Sequence, residues 1–393
     1  MRTWAGMLAA GLLVLSGCGD SGGARAQAAA DGPAADGPAA AATDFSVTPP
    51  DGARGVGPDT TVKVTGAAGP LGEVRVTDGK GRALDGAYSP DHVTWTSMVP
   101  VKVGTQYTVQ AWGGGEDRSQ LEKVTRFSTT DVERSGTLDI SSVQPSNGAT
   151  VGVAHPLIVT FNQPVPDRAI VQKALQVKTT PAVQGAWYWI DNETVDYRPQ
   201  QFWPPNTKVA LVAKLAGISA GDGVVGGKDR TSAFTVTRSQ VLKVDVVKHK
   251  LTVVRGGKQI KSFDVSTGKP GWETRKGTKV IMEKERNKVW TDEAIDAKED
   301  YRYTSKYAMR VTNSGEFLHD APWNSGNIGE ANTSHGCIGL LPKSMEWLYE
   351  NTMVGDPVVV TGSPKPFDDL TNRIADWNIT WAKWSAGNTH DQL

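Results

Sequence analysis

Short runs in which apolar and polar residues alternate fill the chain up to about residue 240, and alternation of period two predicts strands. Val62-Lys63-Val64-Thr65 and Leu157-Ile158-Val159-Thr160 each follow turns of nearly equal sequence, Pro49-Pro50-Asp51-Gly52-Ala53 and Pro145-Ser146-Asn147-Gly148-Ala149. Gly104-Thr105-Gln106-Tyr107-Thr108-Val109 parallels Asn206-Thr207-Lys208-Val209-Ala210-Leu211, and both units close on a Phe-Ser/Thr-x-Thr strand, at Phe127 and Phe234. Repetition with a period of roughly one hundred residues predicts two immunoglobulin-like β-sandwiches, residues 44–137 and 138–239. Neither contains a cysteine pair, so the expected variant is disulfide-free.

From Gln240 the pattern changes. Val244-Asp245-Val246-Val247 and Lys250 to Val254 read as strands, and Arg255-Gly256-Gly257-Lys258 reads as a hairpin turn before a returning strand, Ile260 to Ser266. Pro342 to Asn351 predicts a short helix with Met345, Leu348 and Tyr349 on one face, and Val358-Val359-Val360 predicts a closing strand. A third, β-rich domain is therefore expected over 240–363. In the tail, 364–393, Trp377, Trp381 and Trp384 fall at i, i+4 and i+7. On a helix they share one face, which is expected to bury itself against the neighbouring domains. The fold class is thus mainly β, with one short helix and a helical tail.

Charge adds little. Lys+Arg and Asp+Glu both total 42, so no field points to nucleic acid. Glycine (43) and proline (22) are frequent, which suits strands joined by many turns. The first 18 residues carry Arg2, an apolar run from Met7 to Leu15, and Leu15-Ser16-Gly17-Cys18. The run is too short for a permanent span and fits an export signal. Leu-Ser-Gly-Cys resembles the bacterial lipobox, which implies lipidation of Cys18 and anchoring on the outer face of the cytoplasmic membrane. Residues 19–43, with Asp31-Gly32-Pro33-Ala34-Ala35 echoed by Asp36-Gly37-Pro38-Ala39-Ala40, cannot bury a core and read as a tether.

Candidate chemistry is concentrated between Phe317 and Leu340. His319, His335 and Cys337 fall within nineteen residues, in a segment rich in Gly, Asn and Ser. Cys337 is the one cysteine left after processing at Cys18, so no intramolecular disulfide is available to it. A lone cysteine is ordinarily a small buried hydrophobe. Here it adjoins Gly336 and has two histidines nearby. A thiol becomes a useful nucleophile when imidazole takes its proton, and small neighbours let N–H groups reach a developing oxyanion. His92 and His155, set among turn residues, read as surface bystanders. No carboxylate cluster accompanies the histidines near the cysteine, so neither a metal nor another cofactor is called for.

A histidine, seventeen residues, then a cysteine closing Ser334-His335-Gly336-Cys337 resembles the catalytic motif of the L,D-transpeptidase (YkuD-type) family. His319-Asp320-Ala321-Pro322-Trp323, Ser314-Gly315, Ser266-Thr267-Gly268-Lys269-Pro270 and Lys276-Gly277-Thr278 extend the likeness over roughly Val241 to Ser363. They resemble the actinobacterial lipoprotein branch. The resemblance implies Cys337 as nucleophile, His319 as proton donor and acceptor, and N–H groups of His335, Gly336 and Cys337 as oxyanion donors. It implies peptidoglycan partners, a tetrapeptide donor and a diamino-acid amine acceptor, with cell-wall cross-linking through a thioester and acylation by carbapenems. Trp290 to Lys306 would be an irregular lid. Tyr301, Ser314, Gly315, Trp323, Ser334 and Gly339 would line the substrate cleft. Relatives often carry serine where Asp320 stands, so Asp320 could orient the imidazole by its carboxylate or its carbonyl; Gly339 replaces a usual Asn or Arg. A monomer is expected.

Two readings compete. A sortase would carry Thr-Leu-x-Thr-Cys, which is absent, and papain-like hydrolases place Cys before His. A wall-binding lipoprotein without catalysis would leave Cys337 inert.

Overall fold

The computed structural model describes residues 45–67, 69–113, 121–291 and 302–390. The signal (1–18), the tether (19–43), Cys18 and Tyr301 lie outside the described residues. All the described residues belong to one unit, 43–393.

The repeated turns do the same work twice. Gly52 and Gly148 both adopt positive φ, 76° and 79°, a region open to glycine. Gly52 N–H donates to Arg126 O and Gly148 N–H to Ala233 O, at 2.8 and 2.7 Å. Asp51 Oδ1 accepts from Arg126 N and Asn147 Oδ1 from Ala233 N. Each turn thus clips an early strand to the last strand of its own unit. In the first unit, a four-stranded sheet (Phe45–Thr48, Lys63–Gly66, Thr94–Ser97, Gly86–Tyr88) faces a three-stranded one (Val74–Asp78, Gln106–Trp112, Leu121–Ser128). Val64, Val76, Trp95, Tyr107 and Phe127 fill the space between them. The second unit sets Ile140–Gln144, Leu157–Phe161, Thr194–Pro199 and Gly185–Trp189 against Thr150–Val151, Arg230–Val236, Thr207–Ala213 and Leu175–Thr180.

The third domain also has two sheets around one core. The first runs Lys258–Asp264, Lys250–Arg255, Gln240–Asp245, Pro357–Thr361, Gly277–Val280. The second runs Glu283–Thr291, Arg302–Arg310, Phe317–Asp320, Ile338–Leu340. Helix Pro342–Asn351 buries Met345, Leu348 and Tyr349, the face expected from their spacing. Gly256 and Gly257 turn the expected hairpin with φ of 56° and 79°. Of the expected lid, Trp290 to Lys306, residues 292–301 lie outside the described residues. Its flanks are long paired strands, Trp290 opposite Tyr303 and Glu283 opposite Arg310, with Lys288 paired to Glu285 and lying over the Phe317 ring.

Two further expectations change. The tail is not one helix: Trp377 lies in a 3-10 turn, Asp376–Asn378, and Trp381–Ala386 is a separate short helix. All three tryptophans nevertheless converge, on a single cation of the second sandwich. The Arg198 guanidinium lies 4.9, 5.6 and 4.3 Å from the rings of Trp377, Trp381 and Trp384. Indole N–H groups of Trp377 and Trp384 donate to Ala154 O and Ala186 O, both at 2.8 Å. A buried guanidinium held by rings is stabilised by about 2 kcal/mol per good contact. His155 is no surface bystander: it is 4 % exposed, and burial pushes its imidazole down to about 4. It sits where the second sandwich meets the third domain backbone to backbone, Gly152 N–H to Val354 O and Ala154 N–H to Gly355 O. A Cβ on Gly152 would stand 2.4 Å from Asp356 N, so that approach requires glycine.

The same seam holds a buried acid pair. Asp196 of the sandwich and Asp376 of the tail bury their carboxyls beside one another, flanked by Arg198 and Arg373. Burial raises both, Asp376 to about 6. An unfolded aspartate titrates near about 3.9, so between roughly pH 4 and 6 the folded chain holds more protons. Stability conferred by that proton is complete at low pH and is lost as pH rises through the folded-state value. Asp376→Asn stays neutral throughout and should flatten this slope. Melting temperatures at about pH 4.5 and pH 7.5 should differ less in the variant than in the parent; an equal difference would exclude the pair as the cause.

Candidate active site

Leu318 and Ile338 are paired across a parallel ladder and both point into the core. Alternation therefore turns His319 and Cys337 to the opposite face, two positions apart along neighbouring strands. Strands in such a ladder lie about 4.8 Å apart, so the two side chains can meet diagonally. The Cys337 sulfur touches the backbone of the first strand: its thiol points at Gly315 O, 3.6 Å away, and Phe317 N–H faces it.

His319 is held from every side. Its Nδ1 is 2.9 Å from Asp320 O and 3.2 Å from Ser305 Oγ. A carbonyl only accepts, so Nδ1 carries the hydrogen and Nε2 is left with its lone pair. The Asp320 carboxylate is engaged elsewhere, accepting from Tyr307 N at 2.7 Å and Lys306 N at 3.2 Å. Ser305, wholly buried, donates to Asp320 O and accepts from Trp290 Nε1, both hydrogen bonds being short (2.7 and 2.8 Å). The rings of Trp290 and Trp323 pack on the imidazole, with Tyr303 stacked on Trp323. Burial lowers the pKa of His319, opposed by the hydrogen bond to Asp320 O, so the ring rests neutral. Burial likewise pushes the Cys337 thiol up to about 12, with Phe317 N–H opposing it. The resting pair is therefore a neutral thiol beside a neutral imidazole.

The turn before Cys337 is braced from within. Gly336 has φ +117°, a conformation that favours glycine, and a Cβ there would meet nothing closer than 3.7 Å. Thr274 Oγ1 donates to Gly336 O at 2.8 Å and accepts from Gly268 N. Ser334 Oγ donates to Cys337 O and accepts from Gly336 N–H. The Ser334 hydroxyl and the Gly336 N–H are thus spent on the turn, while Cys337 N–H projects away from the anchored Gly336 carbonyl.

The remaining candidates fall in three places. Trp323, 39 % exposed, stands at the mouth beside His319. Ser314, Gly315, His335 and Gly336 line a cavity of ≈ 230 Å³ on the other flank of the sulfur, with Trp272 and Arg275. His335 meets the edge of Trp272, so the two histidines serve different walls. Gly339 exchanges both backbone hydrogen bonds with Ser266 and joins the two sheets. From sequence, Trp290 and Ser305 are expected only as part of a lid, not as partners of His319, and Thr274 is not expected at all, because nothing local marks these roles. Lys279 and Glu316 left a faint signal: Lys279 precedes the apolar Val280-Ile281-Met282, and Glu316 precedes the apolar Phe317-Leu318.

Residues 53–219, which straddle both sandwiches, match a bacterial Ig domain, and residues 239–360 match the L,D-transpeptidase catalytic domain (YkuD). The chain is 32 % identical over 342 residues to L,D-transpeptidase 2 of Mycobacterium tuberculosis (strain CDC 1551 / Oshkosh), covering 86 % of this chain and 83 % of that protein. It is 33 % identical over 343 residues to L,D-transpeptidase 5 of strain ATCC 25618 / H37Rv, covering 86 % and 75 %. The solved structure of the LD transpeptidase LdtMt1 in complex with imipenem is similar at TM-score 0.50 and 34 % identity, over 56 % of this chain and 98 % of that one.

Proposed function

This chain belongs to the L,D-transpeptidase family, and from that premise we propose that it makes 3→3 peptidoglycan cross-links through a Cys337 thioester. One observation carries the reading: the sulfur lies diagonally across one ladder from an imidazole whose Nδ1 is tied to Asp320 O.

In the first step Cys337 Sγ attacks the carbonyl at the L-centre of the donor's diamino acid. His319 Nε2 takes the thiol proton as the C–S bond forms, which suits a thiol that rests protonated. Cys337 N–H faces the oxyanion, assisted by the neighbouring His335 backbone. Collapse breaks the C–N bond to D-Ala, and the proton on His319 passes to the departing amine. In the second step a side-chain amine of another stem attacks the thioester. Its proton goes to His319, the C–S bond breaks, and the thiol regains the proton. One hard acyl transfer becomes two easier ones.

Trp323, Ser314, Gly315 and Tyr301 are proposed to line the donor cleft. The chain is further proposed to act as a monomer, exported and held at the outer face of the membrane by a lipid on Cys18, the sandwiches serving as spacers; recovery of the unprocessed protein in the soluble fraction would oppose this. Incubation with purified tetrapeptide stems should release D-Ala and give dimers lacking one D-Ala, read by mass. Stems returned unchanged by a folded protein would favour the non-catalytic wall binder.

A further inference from the structure

Two backbone groups touch the Cys337 sulfur, Gly315 O and Phe317 N–H, and the residue between them is Glu316. Its side chain runs back into the protein, 7 % exposed. Oε1 accepts from Arg275 N at 3.1 Å and Arg275 Nε at 3.2 Å, and Oε2 pairs with Lys279 Nζ at 2.8 Å. Lys279 is 0 % exposed, in a strand of the other sheet, with Nζ 5.6 Å from the Phe367 ring. Arg275 also reaches Ser314 and Thr312, so the cations grip the whole 312–316 turn. Burying such charges is costly, and a buried pair often stabilises a fold less than apolar residues would. At the sulfur the charges of this cluster oppose one another, Glu316 disfavouring its ionisation and Lys279 favouring it, and a low dielectric strengthens both.

We propose that the Glu316–Lys279–Arg275 cluster is a positioning device for Cys337: Glu316, held by Arg275, fixes the backbone groups touching the sulfur, and Lys279 stabilises the negative charge that develops on the sulfur as its proton leaves. The inference rests on the proposed function, with Cys337 as the reacting thiol. Fixed positive charge matters most to a buried sulfur, which otherwise resists ionising. The charged groups acting on it are Glu316, which opposes its ionisation, and Lys279 and Arg310, which favour it; Arg275 pairs with Glu316, and His319 and His335 are the neighbouring titratable rings.

The test reads the thiol itself rather than turnover: iodoacetamide alkylation of Cys337 in the exported part of the chain across a range of pH, with circular dichroism to confirm folding. Removal of a cation by Lys279→Met should shift the alkylation profile to higher pH and slow the reaction about tenfold at fixed pH. Removal of the anion by Glu316→Gln should shift it oppositely, to lower pH, with about tenfold faster alkylation. The double variant should return close to the parent. If Lys279→Met does not fold, Glu316→Gln and the double variant carry the test. Shifts of the same sign, or none in Glu316→Gln, would overturn the proposal and leave the cluster a structural clamp. Loss of cross-linking with opposite shifts intact would instead count against the thioester route.

Discussion

Cys337→Ser should gain no mass with a carbapenem, whereas the parent should gain one drug molecule per chain. A similar solved structure is of a relative in complex with imipenem, and acylation of Cys337 by a drug of this class follows from the proposed function. Serine keeps the geometry, since an oxygen at this position would still face Gly315 O and Phe317 N–H. It lacks the polarisable sulfur, and its proton is far harder to remove. The single neutral imidazole that serves a thiol is poorly matched to an alcohol. The rate should fall on the order of 10⁴-fold or more, below detection in an hour's incubation. His335→Ala should cost much less, because its ring packs on Trp272 rather than within the His319 network. An adduct of ordinary rate on Cys337→Ser would mean that another residue is being acylated.

What was legible in the chain was what short-range physics dictates. The Gly256-Gly257 hairpin, the Pro342–Asn351 helix and the twin turns at Gly52 and Gly148 are decided by backbone freedom and local periodicity. Cys337 and His319 could be paired from their motif. What stayed hidden was decided by partners far away in sequence. The Trp377, Trp381, Trp384 spacing suggested one helix, yet the rings are drawn together by Arg198, and a broken tail delivers them better than a straight one. His155 looked exposed among turn residues, but a glycine-on-glycine approach, Gly152 on Gly355, covers it with the third domain. Trp290 read as part of an irregular loop because Arg286, Lys288 and Glu285 interrupt the alternation of a real strand. Asp320 could have acted through carboxylate or carbonyl; the carbonyl is the group on Nδ1, while the carboxylate accepts from the Tyr307 and Lys306 N–H groups of the paired strand.

That division of labour makes His319 the second large effect. His319→Ala should slow acylation by about 10² to 10⁴, the usual worth of a positioned general base. Asp320→Asn retains the carbonyl that holds Nδ1 and an oxygen for one of the two N–H groups, so acylation should fall only a few-fold. Ser305→Ala removes the hydroxyl shared by Trp290, Asp320 O and the imidazole, and should lie between the two. The pH profile supplies a second reading. The reactive form is neutral imidazole with protonated thiol, and burial keeps His319 neutral to lower pH than an exposed histidine. As pH rises, the acylation rate should reach its plateau below the ordinary imidazole value of about 6.5. In His319→Ala that inflection should vanish, leaving a slow rate that climbs with thiol ionisation at high pH. An unchanged inflection in this variant would show that another group accepts the proton, with His335 the first to test.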